Sequence, residues 1–278
     1  MTTNRKQSNP SRDELGICTS AFGHRNALSP AKVRQLDRCG LEWFEISALE
    51  EQHVGVFDSL LVRELVDAVA GMKIRLWSFH APFCGLAMDD PATRSDGERR
   101  LLQSVRVARR FGARTIVVHP GRDVPSVNRK RELGWLREGL ARVADAMPPK
   151  MQLGLETMGI KTLCGPFDEM LSFLDRLRGA PVGICLDTGH VNQGDDVLAY
   201  IRAIAGRIAT VHLHDNYGDR DAHAMPGEGN IKWPVVLKAL REAGYRGPLM
   251  AETGPRDKTA VPSFVADYRR RMLAYLAQ

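Results

Sequence analysis

The feature of the sequence that most constrains its fold is a repeated alternation of short apolar runs and longer amphipathic segments. Eight of the runs have the length and the residue content of buried strands. Strands separated by helix-length segments are typical of parallel sheets, because each crossover helix covers one face of the sheet. The predicted strands are Leu15–Phe22, Trp43–Leu49, Ile74–Phe79, Thr115–His119, Gln152–Glu156, Gly183–Asp187, Thr210–His214 and Leu249–Glu252.

Helix start and stop signals lie between these strands. Ser29 before Pro30 predicts a helix that Gly40 ends, and Asp90 before Pro91 predicts a long helix that runs to Gly112. Further helices are predicted from Asp58 to Gly71, between Pro166 and Gly179, from Pro234 to Gly244 and from Val261 to the C-terminus.

A strand spacing of roughly thirty residues, repeated eight times, predicts an α/β fold of the (β/α)8 TIM barrel type. A doubly wound open sheet is the alternative. The segment after the first strand reads AFGHRNAL, however, and lacks the Gly-x-Gly-x-x-Gly pattern of dinucleotide-binding sheets. No linker divides the chain, so we predict a disordered polar tail over residues 1–14 and a single barrel domain over residues 15–278.

Composition narrows the functional class. No apolar run is long enough for a membrane span and the first residues lack the apolar core of a signal peptide, so a soluble, cytoplasmic protein is expected. The five cysteines are odd in number and dispersed, which predicts reduced, buried thiols. The net charge of +6 makes nucleic-acid binding possible, but the basic residues are dispersed, so it is not favoured. The oligomeric state is unknown at this stage.

The richest stretch is residues 209–230, ATVHLHDNYGDRDAHAMPGEGN, which contains three His and three Asp. It begins with the alternation of Val211 and Leu213, which predicts a strand that ends in polar residues. In a parallel barrel the carboxyl ends of the strands form the active-site rim, and other predicted strands also end in His or in acids. A ligand cluster is therefore favoured over a polar surface loop.

Nine residues at this rim have side chains that suit a metal ion. Imidazoles and carboxylates without thiolates fit Zn²⁺ first, with Mn²⁺, Fe²⁺ or Co²⁺ as alternatives. Nine ligands exceed what one ion can use, and clustered acids would repel one another without cations. We therefore predict two or three divalent ions. The candidate ligands are His80, His119, Glu156, Asp187, His190, His212, Asp221, His223 and Glu252.

Several phrases, HAPF, VVHPG, LDTGH, VHLHDN with DAHAMPGEGNIKW, and AETG, follow one another along the chain. Together they resemble the xylose-isomerase-like barrel superfamily, which includes endonuclease IV and many proteins called sugar phosphate isomerases or epimerases. The resemblance runs from about Leu15 to the end of the chain. By resemblance to endonuclease IV, the nine candidates match the ligands of a three-zinc site. Glu156 would bridge two ions beside His80 and His119; Asp187, His212 and Glu252 would complete the inner site; His190, Asp221 and His223 would hold the third ion.

Two branches of the superfamily remain open. One-metal ketose epimerases match at Glu156, Asp187, His212 and Glu252, and their two acids that flank the metal transfer protons. Those enzymes have a substrate-binding Arg where this chain has His223. The Asn-Pro-Arg-Trp-like DNA loop of the endonucleases is replaced by FEISALEEQHV, whose Glu45 is more similar to the sugar isomerases.

The leading hypothesis is a metal-dependent isomerase or epimerase of a small sugar, polyol or sugar phosphate. The reaction would pass through a metal-stabilised enediolate, with Glu156 and Glu252 as catalytic residues. The alternative is an endonuclease IV-like hydrolase of a phosphodiester, either abasic-site DNA or a smaller phosphoester. A barrel that only binds a ligand is a third, less favoured class, since a scaffold needs no set of metal-type residues.

Four more residues are assigned to substrate contact or to support of the ligands. Glu45 lies at the end of the second strand, and His214 with Asp215 is predicted to support a ligand through a ring N–H held by a carboxylate. Trp233 is expected either to line a pocket or to pack under the Gly-Glu-Gly turn. His53 is expected to be exposed to solvent.

Overall fold

The computed structural model describes residues 14–55, 57, 59–121 and 128–278. Eight parallel strands form one sheet, in which consecutive strands pair from the first to the seventh and the first also pairs with the eighth. The strands are β1 (Leu15–Cys18), β2 (Trp43–Ser47), β3 (Arg75–His80), β4 (Thr115–Val118), β5 (Gln152–Glu156), β6 (Val182–Asp187), β7 (Ile208–His212) and β8 (Leu249–Ala251).

Leu213, the residue after β7, brings the two ends of the sheet together. Its N–H donates to the carbonyl of Met250 at 2.8 Å, and its own carbonyl accepts from the N–H of Glu252 at 3.2 Å. The sheet is therefore a nearly closed barrel, and the predicted single-domain TIM barrel is confirmed.

Helices lie between consecutive strands and form the outer layer. The predicted caps are present: the Ser29 side chain accepts from the N–H of Lys32, and Asp90 accepts from Ala92 and Thr93. The helices are α1 (Pro30–Arg38), α2 (Ser59–Ala70), α3 (Pro91–Arg110), α4 (Arg129–Asp145), α5 (Phe167–Asp175), α6 (Thr188–Asn192), α7 (Val197–Ala203), α8 (Trp233–Glu242) and α9 (Val261–Leu276).

Some predicted bounds are wrong, mostly at strand ends. The first strand stops at Cys18 because Thr19–Phe22 turns into a 3-10 helix. The seventh strand ends at His212, so His214 lies beyond regular pairing. The predicted helix start at Asp58 and nearly all of the predicted N-terminal tail fall outside the described residues. Glu14, the first described residue, forms an ion pair with Arg241 at 2.9 Å.

The core lies on both sides of the barrel wall. Strands β1, β4 and β8 are buried along their whole length, as expected for a parallel sheet covered by helices. Cys18, Cys84, Cys164 and Cys185 are buried free thiols, as predicted, while Cys39 is half-buried. Among the described helices, none is both long enough and apolar enough to cross a membrane.

One irregularity in the sheet affects the rim. The pairing of β2 with β3 shifts between Phe44 and Glu45, so that Glu45 is opposite Ser78 instead of the residue before it. Such shifts redirect side chains near sites. Here the Ser78 hydroxyl donates to a carboxylate oxygen of Glu45 at 2.6 Å, which fixes that carboxylate inside the barrel.

Candidate metal centre

Six of the nine predicted ligands form an inner cluster at the carboxyl ends of the strands. The Nε2 atoms of His80 and His119 each lie 3.0 Å from one carboxylate oxygen of Glu156. The Nδ1 atom of His212 lies 3.2 Å from the other oxygen of Glu156 and 3.0 Å from Glu252. We define the inner cluster as His80, His119, Glu156, Asp187, His212 and Glu252.

The remaining three ligands form an outer cluster around one carboxylate. Asp221 lies 3.3 Å from the Nε2 atom of His190 and 3.0 Å from that of His223. The side chain of His223 is 40% exposed, whereas that of His212 is fully buried, so this cluster is nearer to solvent. His190 connects the two clusters, since its Nδ1 atom lies 3.8 Å from Glu156 and 3.7 Å from Asp187.

The ring orientations test whether these residues suit a metal. A histidine nitrogen that faces a backbone carbonyl must carry the proton, which leaves the lone pair on the other nitrogen. Three rings have this arrangement, and in each the Nε2 atom faces the acids of a cluster. The Nδ1 contacts are from His80 to the carbonyl of Ala81 (3.1 Å), from His190 to that of Thr157 (2.9 Å) and from His223 to that of Glu252 (2.8 Å).

The carboxylate of Glu45 orients the ring of His212, as the backbone carbonyls orient the other three rings, but it faces the Nε2 atom instead of the Nδ1 atom. Its carboxylate lies 3.0 Å from the Nε2 atom of His212, which directs the Nδ1 atom toward Glu156 and Glu252. Glu45 and His212 are both fully buried. A carboxylate behind an imidazole is the usual support of a histidine ligand in metal sites, so this geometry would suit such a role for Glu45.

Opposite charges within the clusters shift the pKa values of their members. Burial raises the pKa of Glu156, but the charges of His119 and His212 outweigh it and hold the pKa well below its usual range. Burial lowers the pKa of His223, but its hydrogen bond with Asp221 outweighs burial and raises the pKa to about 10. At neutral pH Glu156 is therefore ionised and the His223 ring is protonated. A cation would replace the ring protons, so its binding should strengthen as pH rises.

The donor set and the spacing both fit divalent cations. The ligand atoms of Glu156, Asp187, His212 and Glu252 lie within 4.8 Å of one another. Imidazole nitrogens and carboxylate oxygens suit Zn²⁺, Mn²⁺, Fe²⁺ or Co²⁺. Cys18 is adjacent to Glu45 and Glu252, but burial and these acids raise the pKa of its thiol well above the ordinary value, which disfavours a thiolate ligand.

The structure separates the predicted pair of His214 and Asp215. His214 is buried and its Nε2 atom lies 2.9 Å from Asp187, not against Asp215. Asp215 instead anchors the following loop, since it accepts from the N–H groups of Gly227 (2.9 Å) and Ile231 (3.2 Å). It also accepts from the indole N–H of Trp233 at 2.7 Å. Trp233 is buried and packs under this loop, so of its two predicted positions the structure has the packed one.

Two further histidines lie near the rim. The prediction that His53 is exposed is wrong: it is fully buried, with Nδ1 2.6 Å from the carbonyl of Asn26 and Nε2 3.0 Å from the Thr19 hydroxyl. Both partners come from the loop after β1, whose folding over His53 no local pattern indicates. His24 is half-buried and contacts the Ser47 hydroxyl at 3.3 Å.

The sequence model of one family, described as "Xylose isomerase-like TIM barrel", matches residues 33–268. The chain belongs to this family. Its members therefore share the barrel described above, and the family resemblance predicted from the sequence motifs is confirmed.

Curated relatives are distant. An uncharacterized protein of Sinorhizobium fredii is 28% identical over 174 residues, which are 59% of this chain and 55% of the relative. An uncharacterized protein of Methanocaldococcus jannaschii is 28% identical over 187 residues, 62% of each chain. A "Probable endonuclease 4" of Mycobacterium bovis is 27% identical over 188 residues, 64% of this chain and 73% of that protein. The matches thus span less than two thirds of the length of each of the two uncharacterized relatives.

Solved structures share the fold at low identity. A D-tagatose 3-epimerase-like protein superposes with a TM-score of 0.77 at 22% identity, covering 93% of this chain and 98% of that one. The IOLI protein with a bound zinc atom gives 0.79 at 16% identity, covering 95% and 100%. A D-psicose 3-epimerase of Clostridium cellulolyticum, solved with D-tagatose, gives 0.75 at 20% identity, covering 95% and 97%.

Proposed function

We propose that this protein is a metal-dependent epimerase or isomerase of a small polyhydroxy carbonyl compound. The observation that carries the proposal is the position of two carboxylates against one candidate ligand. Glu156 and Glu252 lie 3.2 and 3.0 Å from the same nitrogen of His212, so both face one small space from different strands. Two acids around one ion are the arrangement needed to remove and return a proton at a single carbon.

Four residues would hold the central cation: Glu156, Asp187, His212 and Glu252. When bound, a divalent cation would supply Lewis acidity to the carbonyl of the substrate. One glutamate takes the proton from the carbon next to the carbonyl, and the electrons of the broken C–H bond move toward the carbonyl oxygen. The second glutamate, once it has taken up a proton, returns it to that carbon from the other face or, with the hydroxyl proton passing between the two oxygens, to the former carbonyl carbon. The first outcome is epimerisation and the second is isomerisation.

A multinuclear hydrolase is the second candidate, and one feature favours it. His80 and His119 both contact the oxygen of Glu156 that His212 does not contact, which gives room for a second cation beside the first. Clustered cations suit phosphodiester hydrolysis, in which they neutralise developing charge. The similarity to "Probable endonuclease 4" proteins supports the same candidate.

Proton transfer at carbon separates the two candidates. We would incubate the reconstituted protein in D₂O with ketoses such as D-tagatose, D-fructose and D-allulose and follow deuterium entry at carbon by NMR. Exchange is expected with at least one sugar. Glu252→Gln should abolish it, because the amide cannot accept the proton. Glu228→Gln is the matched control, since that carboxylate is on an exposed turn and pairs with Arg271.

The same preparations would be tested on an abasic duplex. Incision that is lost in Glu252→Gln, together with no deuterium exchange on any sugar, would reverse the order of the two candidates. Affinity for the duplex should also fall steeply as the salt concentration rises if the excess of basic residues in the chain serves nucleic-acid binding.

A further inference from the structure

His214 lies against the outer cluster although it was not among the nine predicted ligands. Its side chain is fully buried, and its ring stacks on that of His223 with centroids 4.1 Å apart and an angle of 19°. Its ligand atoms and those of His190, Asp221 and His223 all lie within 4.8 Å of one another. Three imidazoles thus surround one carboxylate.

The distances within this group are those of a four-coordinate site. Ligand atoms on a tetrahedron with metal bonds of about 2.0–2.1 Å are about 3.3 Å apart. The Nε2 atoms of His223, His190 and His214 lie 3.0, 3.3 and 3.7 Å from the oxygens of Asp221. These separations from Asp221 bracket the expected value, with His223 and His190 facing its Oδ2 atom and His214 facing its Oδ1 atom. A small shift of the His214 ring from Asp187, which lies 2.9 Å from its Nε2 atom, toward Asp221 would complete the geometry.

The chain makes specific room for this ring. A Cβ atom on residue 189 would lie 1.9 Å from the Cε1 atom of His214, so only glycine fits at this position of α6. The Nδ1 atom of His214 is buried and has no hydrogen-bond partner among the described residues. The ring is therefore held from its Nε2 side alone, which faces carboxylate oxygens of Asp187 at 2.9 Å and of Asp221 at 3.7 Å, and this is the side from which an ion would be bound.

We propose that His214 is a fourth protein ligand of the outer site and closes it around a divalent cation such as Zn²⁺. A site with four protein ligands has no open position for water or substrate, which is the pattern of structural rather than catalytic zinc. The outer cation would therefore not act on the substrate. It would fix the loop after β7, which supplies His214, Asp221 and His223, onto α6, which supplies His190.

This role complements the second anchor of the same loop. Asp215 holds the later part, at Gly227, Ile231 and Trp233, through hydrogen bonds alone. The earlier part, residues 214–223, would be held by the cation. The loop borders the inner cluster, because the His223 ring bonds to the carbonyl of Glu252. The inference rests on the proposed function only in requiring a metal-loaded barrel.

The test counts ions and reports their coordination without any substrate. Chelated protein would be reconstituted with Co²⁺ and measured by elemental analysis and by visible absorption, which is intense for tetrahedral cobalt and weak for higher coordination. His214→Ala and His223→Ala should each bind one equivalent of cobalt less than the unmodified protein, and each should lose the absorption band of tetrahedral cobalt. His223 does not contact Asp187, so its variant isolates the outer site from the inner ligands.

Glycine variants test the same point without removing a ligand. Gly189→Ala should displace the His214 ring and lose the tetrahedral band, whereas Gly134→Ala should keep it, because a Cβ on Gly134 meets nothing within 4 Å. Hydrogen exchange should show that residues 214–223 lose protection in His214→Ala, His223→Ala and Gly189→Ala but not in Gly134→Ala.

Two results would overturn the proposal. In the first, His214→Ala retains the cobalt content and band of the unmodified protein while His223→Ala loses them, so that His214 acts only on Asp187. In the second, His223→Ala itself changes neither quantity, so that no outer ion exists. Neither the cobalt content nor the absorption band depends on turnover. Absence of any deuterium exchange would therefore refute the proposed function without affecting this test.

Discussion

At the scale of single residues, Glu45 determines which nitrogen of His212 faces the inner cluster. Its carboxylate accepts from the Ser78 hydroxyl and lies against the Nε2 atom of His212. Both contacts are fully buried, so the charge behind the ring is not screened by solvent. Loss of this charge should make His212 a weaker ligand even though Glu45 itself would contact no ion.

We expect Glu45→Gln to lower cation affinity or turnover by about 10–100-fold, as changes behind a metal ligand often do. Ser78→Ala is the graded control: it removes one donor to Glu45 but keeps the carboxylate, so its effect should be smaller. Competition with a chromogenic chelator measures affinity for both variants. Equal effects of the two substitutions would show that the charge of Glu45 is not what matters.

His53 should make stability dependent on pH. Burial, with a smaller contribution from nearby cations, lowers its pKa from 6.5 to about 4. Below pH 6.5 the unfolded chain takes up the proton while the folded chain does not. The stabilisation is therefore complete above pH 6.5, falls as pH drops and is lost near pH 4, a change of about 3 kcal/mol.

The measurement is urea unfolding of metal-free protein between pH 7 and pH 4, compared with His53→Gln. The variant should be less stable at pH 7, because it loses contacts to Asn26 and Thr19, but its stability should fall less toward pH 4. Parallel pH profiles for the two proteins would contradict the assignment.

At the scale of elements, the contact between α3 and the loop after β3 depends on Gly97. A Cβ at this position would lie 1.6 Å from the carbonyl oxygen of Cys84, and backbone atoms cannot move aside cheaply. Gly97→Ala should destabilise the fold by about 1–3 kcal/mol or more through overpacking. Gly134→Ala in α4 makes no such contact and should stabilise by about 0.5–1 kcal/mol, because glycine weakens a helix interior. Urea unfolding of both variants should give opposite signs.

The elements also show what the sequence could and could not predict. Local chemistry was sufficient to predict where α1 and α3 begin, because the side chains of Ser29 and Asp90 accept from the first N–H groups of these helices whatever surrounds them. It was insufficient at the end of β7. There His214 was predicted to act together with Asp215, and no local pattern shows that its ring instead faces the carboxylate of Asp187, which comes from the neighbouring strand β6. The prediction that His53 is exposed was wrong for a related reason, since its burial depends on a loop that is distant in the sequence.

At the scale of the whole molecule, the gathered ligands should make stability depend on metal. We expect at least two divalent ions per chain in protein prepared without chelator, because the inner and outer clusters are separate groups of ligand atoms. An ion present at a hundred times its dissociation constant stabilises by about 2.7 kcal/mol. Chelation should therefore lower the melting temperature by about 5–10 °C for each such ion.

Elemental analysis and calorimetry with and without chelator check both parts of this expectation. Refilling with Zn²⁺ should restore the melting temperature, which separates ion loss from damage by the chelator. A ratio at or below one ion per chain in active protein would contradict the assignment of two clusters.

The closure of the barrel at Leu213 has a consequence for how the protein acquires its ions during synthesis. The candidate ligands run from His80 to Glu252, and Glu252 directly follows β8, the strand that seals the sheet against Leu213. A ribosome-bound chain that lacks β8 has neither the last ligand nor the closed wall that holds the others. If the inner cluster binds a cation as proposed, that site forms only after β8 has left the ribosome, so a finished barrel and not a partly synthesised chain would bind the ion.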